Sequence, residues 1–205
     1  MSRFAQLAYT DTVRALQHEN GSDRANRIGT EPEPDDLLGE PERRFLSTRD
    51  GFHLASVGET GWPYIQFRGG PPGFVHVLDE HRFAFADVRG NRQYVTTGNL
   101  RTDDRVAAFF MDHPTRTRVK LLGRAQVVPA IEGDPLTERL TAPRTDGRVE
   151  RLIVVRVEGV AWNCRQHITP RWSADELDEV WGRLTDRVTE LEAENAMLRE
   201  RLLAG

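Results

Sequence analysis

The chain has 205 residues, enough for one domain with a substantial core and an appendage. It carries 28 Lys and Arg against 32 Asp and Glu, and this net charge of −4 argues against a general role in binding nucleic acid or a membrane surface. A single cysteine excludes an intrachain disulfide and a cluster of zinc-binding thiolates. Because the sequence has no transmembrane run and no signal-peptide core, we expect a cytoplasmic protein.

Residues 1–44 predict a short helix and a loop that precede the main domain. Residues 11–19 place apolar side chains on one side of a helix, whereas residues 29–42 are acidic and rich in proline, which is typical of a loop. The pattern then changes to short alternating segments bounded by Gly, Pro or Asp. These segments predict β-strands at residues 52–58, 62–67, 74–78, 82–88, 105–112, 117–128 and 151–162.

Two helices are predicted between the strands. Residues 91–100 lose the period of two, and Asp134-Pro135 is typical of a helix start. Residues 151–162 are the most apolar segment and predict a strand in the interior of the sheet. We infer a mainly β (α+β) domain over residues 45–172, in which about six antiparallel strands form a small barrel with short helices.

The final segment, residues 173–205, predicts a leucine-zipper-like helix. It starts with the Ser173 and Glu176 spacing of a capping box. A heptad pattern follows, with Leu177, Leu184, Leu191 and Leu198 at d and Trp181, Val188, Asn195 and Leu202 at a. Residues 175–203 therefore predict a parallel, two-stranded coiled coil with a second subunit. The alternative is an amphipathic helix packed on its own barrel, which the bulky Trp181 fits.

The first candidate binding motif follows strand 62–67. Arg68 precedes Gly69 and Gly70; glycine lets a ligand approach the backbone, and a guanidinium offers five donors to an anion. By the period of two, Tyr64 and Gln66 share the strand face of Arg68. The alternative is an ordinary turn built from glycine and proline.

A second candidate motif follows strand 82–88 and contains Arg89, Asn91, Arg92 and Gln93. If a helix starts at Asn91, its free N–H groups and positive dipole end lie between two arginines and suit a phosphate. Alternatively, Asn91 only caps the helix and the arginines are solvated.

Two further segments carry chemistry-bearing side chains. Lys120 lies within a strand, where it either adds a positive charge near an anion or extends to solvent at an edge. After the last strand, Trp162, Gln166 and His167 combine a stacking surface with hydrogen-bonding groups, although His167 is equally well explained as a hydrogen-bonded loop histidine. The histidines lack the spacing of metal ligands, so no metal site is predicted.

From about Phe45 to Arg171 the chain resembles the pyridoxamine 5′-phosphate oxidase-like flavin-binding split barrels, in particular the subgroup of predicted flavin-nucleotide-binding proteins. The resemblance is carried by GWPYIQFRGGPPGF, FADVRGNRQY, TGNL, KLLGRA and WNCRQHITPR. It implies a six-stranded antiparallel split β-barrel and a homodimer with two FMN sites at the subunit interface. The flavin-binding residues it implies, together with the motifs above, are Tyr64, Gln66, Arg68, Gly69, Gly70, Arg89, Asn91, Arg92, Gln93, Lys120, Trp162, Gln166 and His167.

Within this resemblance, Arg68 and Arg92 match basic residues that hold the flavin phosphate. Gln93 stands where the oxidase has a lysine, and Trp162 matches a tryptophan near the C-terminus of the oxidase. The segment after Trp162 departs from the substrate-binding residues of the oxidase, so pyridoxamine phosphate is not implied as the substrate. The expected function is FMN-dependent oxidation or reduction of a small organic substrate. The alternatives are a non-catalytic flavin carrier or redox sensor, and a split barrel that uses F420 or haem. No catalytic residue is predicted.

Overall fold

The computed structural model of the chain describes residues 2–29, 31–144, 147–162 and 166–203. The chain divides into two compact units, Met1–Asp112 with Thr117–Gln166 and His113–Arg116 with His167–Gly205. Within the described ranges, no helix combines the length and the apolarity that crossing a membrane would require.

The first unit is built on one antiparallel sheet with the strand order β2-β1-β5-β6-β7-β4-β3. The strands are β1 (Gly51–Val57), β2 (Pro63–Gly69), β3 (His76–Val77), β4 (Arg82–Val88), β5 (Arg105–Asp112), β6 (Thr117–Pro129) and β7 (Val149–Trp162). Alternation located each of them, and β7 lies in the interior of the sheet as predicted. Each of the seven predicted segments contains a strand, so the total of about six was one too low; the shortest strand, β3, pairs with β4 at the sheet edge.

The sheet curls around an aromatic core. Phe52 on β1 stacks on Phe110 of β5 with ring centroids 4.4 Å apart. The same ring makes edge contacts with Phe83 and Phe85 on β4, at 6.2 Å and 5.2 Å. Since β5, β6 and β7 separate β1 from β4 in the sheet, these rings meet only because the sheet bends round. The outer strands β2 and β3 do not pair with each other in the described chain, so the predicted mainly β split barrel is confirmed as an open one.

A bulge bends the longest strand pair of the sheet. The register between β6 and β7 shifts after Leu122, so that Leu122 faces Gly159 and Gly123 faces Val157. At Gly123 the two backbones are so close that a Cβ atom would lie 2.2 Å from the carbonyl oxygen of Arg156. Only glycine fits at this position without a backbone shift.

Five helices accompany the sheet in the first unit: α1 (Arg3–Ala8), α2 (Asp11–Glu19), α3 (Glu40–Ser47), α4 (Val95–Asn99) and α5 (Pro135–Thr141). The predicted helix at 11–19 and the helix start at Asp134 are confirmed. Helix α1 was not predicted, and α3 begins inside the predicted acidic loop. Pro41 and the acids of its first turn, Glu40 and Glu42, are favourable at a helix N-terminus.

The carboxylate of Asp36 ties the N-terminal segment to β7. It accepts hydrogen bonds of 2.9–3.0 Å from the Ser2 hydroxyl and from the backbone N–H groups of Arg3, Phe4 and Val160. Burial by itself raises the pKa of Asp36, but the hydrogen bonds favour the ionised form more strongly, and the pKa is lowered from its ordinary value.

The second unit contains helix α6 (Ala174–Leu203). The predicted capping box is confirmed: the Glu176 N–H donates to the Ser173 hydroxyl at 3.3 Å, and the Ser173 N–H donates to the Glu176 carboxylate at 2.8 Å. All side chains that are described along α6 are exposed, including those at the a and d positions.

Candidate functional site

A polar pocket of about 210 Å³ lies between β2 and the segment that follows β4. Its walls are Tyr64, Gln66, Arg68, Asp87, Val88, residues 90–97 and Glu150. Six of the residues predicted to bind a cofactor line this one pocket: Tyr64, Gln66, Arg68, Asn91, Arg92 and Gln93. Two motifs that are more than twenty residues apart in sequence are therefore brought together by the curl of the sheet.

Strand β2 supplies one wall of the pocket through alternate side chains. Tyr64, Gln66 and Arg68 are half-buried, whereas the intervening Ile65 and Phe67 are 63% and 60% exposed. The Gln66 amide oxygen accepts a 3.1 Å hydrogen bond from the buried Thr96 hydroxyl. This bond holds the start of α4 against β2 and fixes the distance between the two walls.

Arg68 already has a carboxylate partner within the fold. One of its terminal nitrogens donates to the Asp87 carboxylate at 2.6 Å, and the two side chains are only 13% and 11% exposed. Its Nε atom is buried and makes no hydrogen bond with any described residue. The bond to Asp87 uses one of the five N–H donors of Arg68, so an anion that reaches the terminal nitrogens would find donors there and would compete with Asp87 for the charge.

The two glycines after Arg68 are explained by contacts within the chain. A Cβ atom at Gly70 would lie 2.1 Å from a terminal nitrogen of Arg144 and 2.7 Å from Phe74 Cγ, and one at Gly69 would lie 2.9 Å from the Phe67 ring. The same Arg144 nitrogen donates to the Gly69 carbonyl at 2.7 Å. Gly69 also lines a neighbouring cavity of about 160 Å³ beside Arg68. Close approach of these glycines to a flavin stays a prediction.

The loop over residues 89–94 forms the opposite wall, and here the predicted helix start is wrong. Helix α4 begins at Val95 instead of Asn91, because Arg92 and Tyr94 have left-handed φ angles of 63° and 54°, which a right-handed helix excludes. The Asn91 side chain instead accepts a 3.2 Å hydrogen bond from the Gln93 N–H and closes a turn. The phosphate site that was predicted at a helix N-terminus is thus a loop that carries exposed polar side chains.

A second network of charges supports this loop. The Glu150 carboxylate forms an ion pair with Arg89 at 3.4 Å and accepts a hydrogen bond from the Tyr94 hydroxyl at 3.4 Å. It also forms an ion pair with the adjacent Arg151. The Arg151 guanidinium lies 4.7 Å from the centre of the Tyr94 ring, donates to Thr97 at 3.0 Å and approaches Asp87 to 3.7 Å. The network connects the loop to the start of β7.

The charges at the pocket favour an anion. Arg68 and Arg92 line the pocket together with the acids Asp87 and Glu150. Arg89 and Arg151 lie behind this lining and pair with the same two acids, so that four positive charges at or beside the pocket face two negative ones. Arg92 is exposed and forms neither a hydrogen bond nor an ion pair with any described residue. Its five donors are available to a ligand at the mouth of the pocket.

The remaining predicted residues do not line this pocket. The ammonium of Lys120 lies 5.2 Å from the centre of the Phe4 ring. The Trp162 indole N–H donates to Glu42 at 2.6 Å, and its ring meets the edge of Phe45 at 5.1 Å. Gln166, at the end of the first unit, is exposed; His167 belongs to the second unit, is also exposed, and has a φ of 61°. Contact of these four residues with a cofactor stays a prediction.

The outward face of β2, β1 and β5 carries an apolar patch, which is interrupted by His53 on β1 and bordered by Arg118, Lys120 and Arg124 on β6. Ile65 and Phe67 on the edge strand are largely exposed. The face continues through half-buried side chains, at Ala55 and Val57 on β1, Ala107, Phe109 and Met111 on β5, and Leu122 on β6. Trp62, 77% exposed, precedes this edge strand. This apolar face begins on the strand whose other side lines the pocket.

The sequence did not single out Asp87, Glu150 and Arg151 as parts of the site. Asp87 occupies an inward position of an alternating strand. An acid at such a position indicates a nearby cationic partner, because a buried carboxylate must be paired. Glu150 and Arg151 stand at the start of the last strand, where nothing in the local pattern separates them from other charges at strand ends.

Comparison with known proteins gives one family. The model of the family described as pyridoxamine 5′-phosphate oxidase matches residues 38–161, and no curated protein matches the chain. Among solved structures, a putative pyridoxamine 5′-phosphate oxidase from Lactobacillus delbrueckii is 25% identical, with a TM-score of 0.45 over 61% of this chain and 93% of that one.

Two further solved structures are similar at lower identity. An FMN-binding protein from Syntrophomonas wolfei is 10% identical, with a TM-score of 0.47 over 75% of this chain and 96% of that one. A FAD-binding protein from Mesorhizobium loti is 17% identical, with a TM-score of 0.46 over 62% of this chain and 93% of that one.

Proposed function

Because the chain belongs to the pyridoxamine 5′-phosphate oxidase family, we propose that it binds FMN in the pocket between β2 and the 89–94 loop and acts as an oxidoreductase on a small organic substrate. The observation that carries the proposal is the surplus of guanidinium groups around a polar pocket. A surplus of this kind favours a phosphate-bearing ligand over a neutral one.

The donors present fit the phosphate group of FMN. Arg92 has all its donors available, and Arg68, which also lines the pocket, bonds to Asp87 through only one of its terminal N–H groups. Asn91 and Gln93 add neutral amides on the same loop, and Tyr64 adds an aromatic ring with a hydroxyl on the opposite wall. The two arginines would hold the phosphate, and Asn91, Gln93 and Tyr64 would contact the polar edge of the cofactor.

When bound, the flavin would supply the capacity to accept or donate a hydride. The chain would contribute binding, orientation and electrostatic environment. Arg68 and Arg92 would fix the phosphate end, and the hydrogen bond between Gln66 and Thr96 would keep the two walls apart at a constant distance. Such a site requires no strong acid or base of its own.

The size of the pocket supports a site that a second copy completes. At about 210 Å³ it is smaller than the roughly 300–1,000 Å³ typical of sites for small-molecule ligands. The apolar outward face starts at Ile65 and Phe67, on the same strand as the pocket wall, and an exposed apolar face of this extent indicates an interaction surface. A second copy that covers this face would add a further wall, and Lys120, Trp162, Gln166 and His167 are the candidates for it.

The cofactor proposal is tested by absorption spectra and by equilibrium titration with FMN and with riboflavin, which lacks the phosphate. Arg92→Ala should weaken FMN binding about ten- to a hundredfold, because a charge-assisted bond to phosphate contributes roughly 1.5–3 kcal/mol. The same variant should bind riboflavin like the parent. Arg101→Ala removes an exposed arginine outside the pocket and serves as the control. If Arg92→Ala lowers the affinity for FMN and riboflavin equally, or changes neither affinity, Arg92 does not hold the phosphate.

The oxidoreductase proposal needs a separate measurement. Bleaching of the FMN absorption by NADH or NADPH under anaerobic conditions, followed by reoxidation with candidate acceptors, is expected of an enzyme. A bound flavin that neither nicotinamide nucleotide reduces would favour the non-catalytic carrier or redox sensor. A spectrum of bound haem or F420 would overturn the choice of FMN.

A further inference from the structure

Helix α6 carries an apolar seam that the family does not account for, since the family match ends at residue 161. The d positions Leu177, Leu184, Leu191 and Leu198 are 40–52% exposed, and among the a positions Trp181, Val188 and Leu202 are 52–82% exposed. Side chains of this kind along one helical stripe require an apolar partner surface. From Leu177 to Leu202 the seam runs about 39 Å.

We propose that the occupant of this seam is α6 of a second copy of the chain, in a parallel, in-register, two-stranded coiled coil. The first argument is the pairing of charges beside the seam. In a parallel coil each g residue faces the following e residue of the other helix. Arg187 at g then faces Glu192 of the partner subunit, and Glu194 at g faces Arg199 of the partner subunit, so both pairs attract.

The second argument is the amide of Asn195, which selects the direction of the partner. In the single chain this amide donates to the Leu191 carbonyl of its own helix at 3.2 Å. In a parallel, in-register coil it meets its own twin at the same level, where the two amides bond to each other, and an a-position Asn is the residue that specifies two strands and one register. An antiparallel partner would instead bury it against apolar side chains.

Among antiparallel alignments that pair the whole seam, the charges leave one competitor, in which Arg187 faces Glu194 of the other helix. In that alignment the two copies of Asn195 lie about nine residues, or about 13 Å, apart along the axis. A disulfide needs Cβ atoms roughly 3.5–4.5 Å apart. Crosslinking at this position therefore separates the two directions.

The first experiment is oxidative crosslinking of the full chain in a Cys164→Ser background, so that each variant carries a single thiol. Asn195→Cys should crosslink quantitatively between chains. Ala193→Cys, at the outward f position two residues away, is the matched control and should not crosslink. Absence of a crosslink at position 195, or equal crosslinking at the two positions, would overturn the proposal, including the case in which a different protein occupies the seam.

The second experiment reverses charges and keeps the cysteine at position 195 as the reporter. Arg187→Glu should weaken tail pairing by roughly tenfold, because it places like charges opposite each other. Adding Glu192→Arg should restore pairing, whereas adding Glu194→Arg should weaken it further by opposing Arg199 of the partner subunit. Both double variants lose the intrahelical bond between Arg187 and Glu190, so its loss cancels in the comparison. Rescue by Glu194→Arg rather than by Glu192→Arg would refute the parallel arrangement.

Discussion

Replacing Asp87 by asparagine separates the structural role of the Arg68 guanidinium from its proposed role in phosphate binding. In the folded chain the pair is short, at 2.6 Å, and largely withdrawn from solvent, with 13% and 11% of the side chains exposed. The substitution keeps the shape of the side chain and removes its charge. It leaves Arg68 buried without a counter-charge, and it also removes the carboxylate that lies 3.7 Å from Arg151.

Loss of one member of a buried ion pair costs about 3–5 kcal/mol, because the remaining charge stays desolvated without compensation. At the lower end of that range, the melting temperature of a chain of 205 residues should fall by roughly 6–12 °C. Without ligand, thermal unfolding followed by circular dichroism measures this drop. Asp103→Asn is the control, because Asp103 forms a pair of similar length with Arg105, and their side chains are 20% and 68% exposed, more than those of Asp87 and Arg68. Exposed pairs contribute little to stability.

The two roles of Arg68 predict opposite effects on FMN binding. If phosphate competes with Asp87 for the guanidinium, Asp87→Asn should bind FMN roughly tenfold more tightly, and FMN should recover part of the lost melting temperature. Riboflavin should not, because it brings no phosphate. The reasoning is refuted if Asp87→Asn melts like Asp103→Asn. It is also refuted if Asp87→Asn binds FMN more weakly than the parent, because the carboxylate would then be positioning Arg68 for the ligand and not competing with it.

Three further predictions follow from the fold and the site. Gly123→Ala should lower the free energy of unfolding by about 1–3 kcal/mol in urea titrations, because its Cβ would lie 2.2 Å from a backbone oxygen, whereas Gly98→Ala meets open space and should not destabilise. Asp36→Ala should lower the free energy of unfolding by about 2 kcal/mol at pH 7. Because the pKa of Asp36 is lowered in the folded chain, the difference in stability between the parent and the variant should shrink only as the pH falls below the unfolded pKa of about 3.9. A Trp162→Ala, His167→Ala double variant should change the spectrum and fluorescence of bound flavin, and an unchanged spectrum would place both residues outside the flavin environment.

The strands were predictable because their determinant is local. Alternation along residues such as Val106, Ala108 and Phe110 places every second side chain inward, and this pattern is visible without knowledge of the fold. The start of α3 was equally local, but Glu40, Pro41 and Glu42 belong to a proline-rich acidic run whose composition is also that of a loop. In the structure these residues lie in the first turn of α3, where proline and acidic side chains favour a helix.

The geometry of the pocket was not predictable, because it depends on contacts between distant parts of the chain. The left-handed backbone at Arg92 and Tyr94 has no signature in residues that are neither glycine nor asparagine. The turn closed by Asn91 and Gln93 encloses Arg92, and Tyr94 is held by Glu150 and Arg151. The pairing of Arg68 with Asp87 joins β2 to β4, which are separated by four strands in the sheet order. Only the curl of the sheet brings them within hydrogen-bonding distance.

The two proposed contacts with a second copy constrain each other. The apolar face around Ile65 and Phe67 and the seam of α6 are separate surfaces of one chain, and each would be buried against the same surface of another chain. If the same partner chain buries both surfaces, a single two-fold axis relates the two chains and the assembly closes as a dimer. If they engage different partners, every chain links two others and the assembly is larger than a dimer, either a closed tetramer with crossed two-fold axes or an open chain. Sedimentation velocity of the full chain should therefore give a mass of two chains that does not rise with concentration. Arg187→Glu should leave this mass unchanged while it lowers crosslinking at position 195, because the barrel face would still hold the dimer. A mass above two chains, or one that rises with concentration, would mean that the two surfaces engage different partners and do not share an axis.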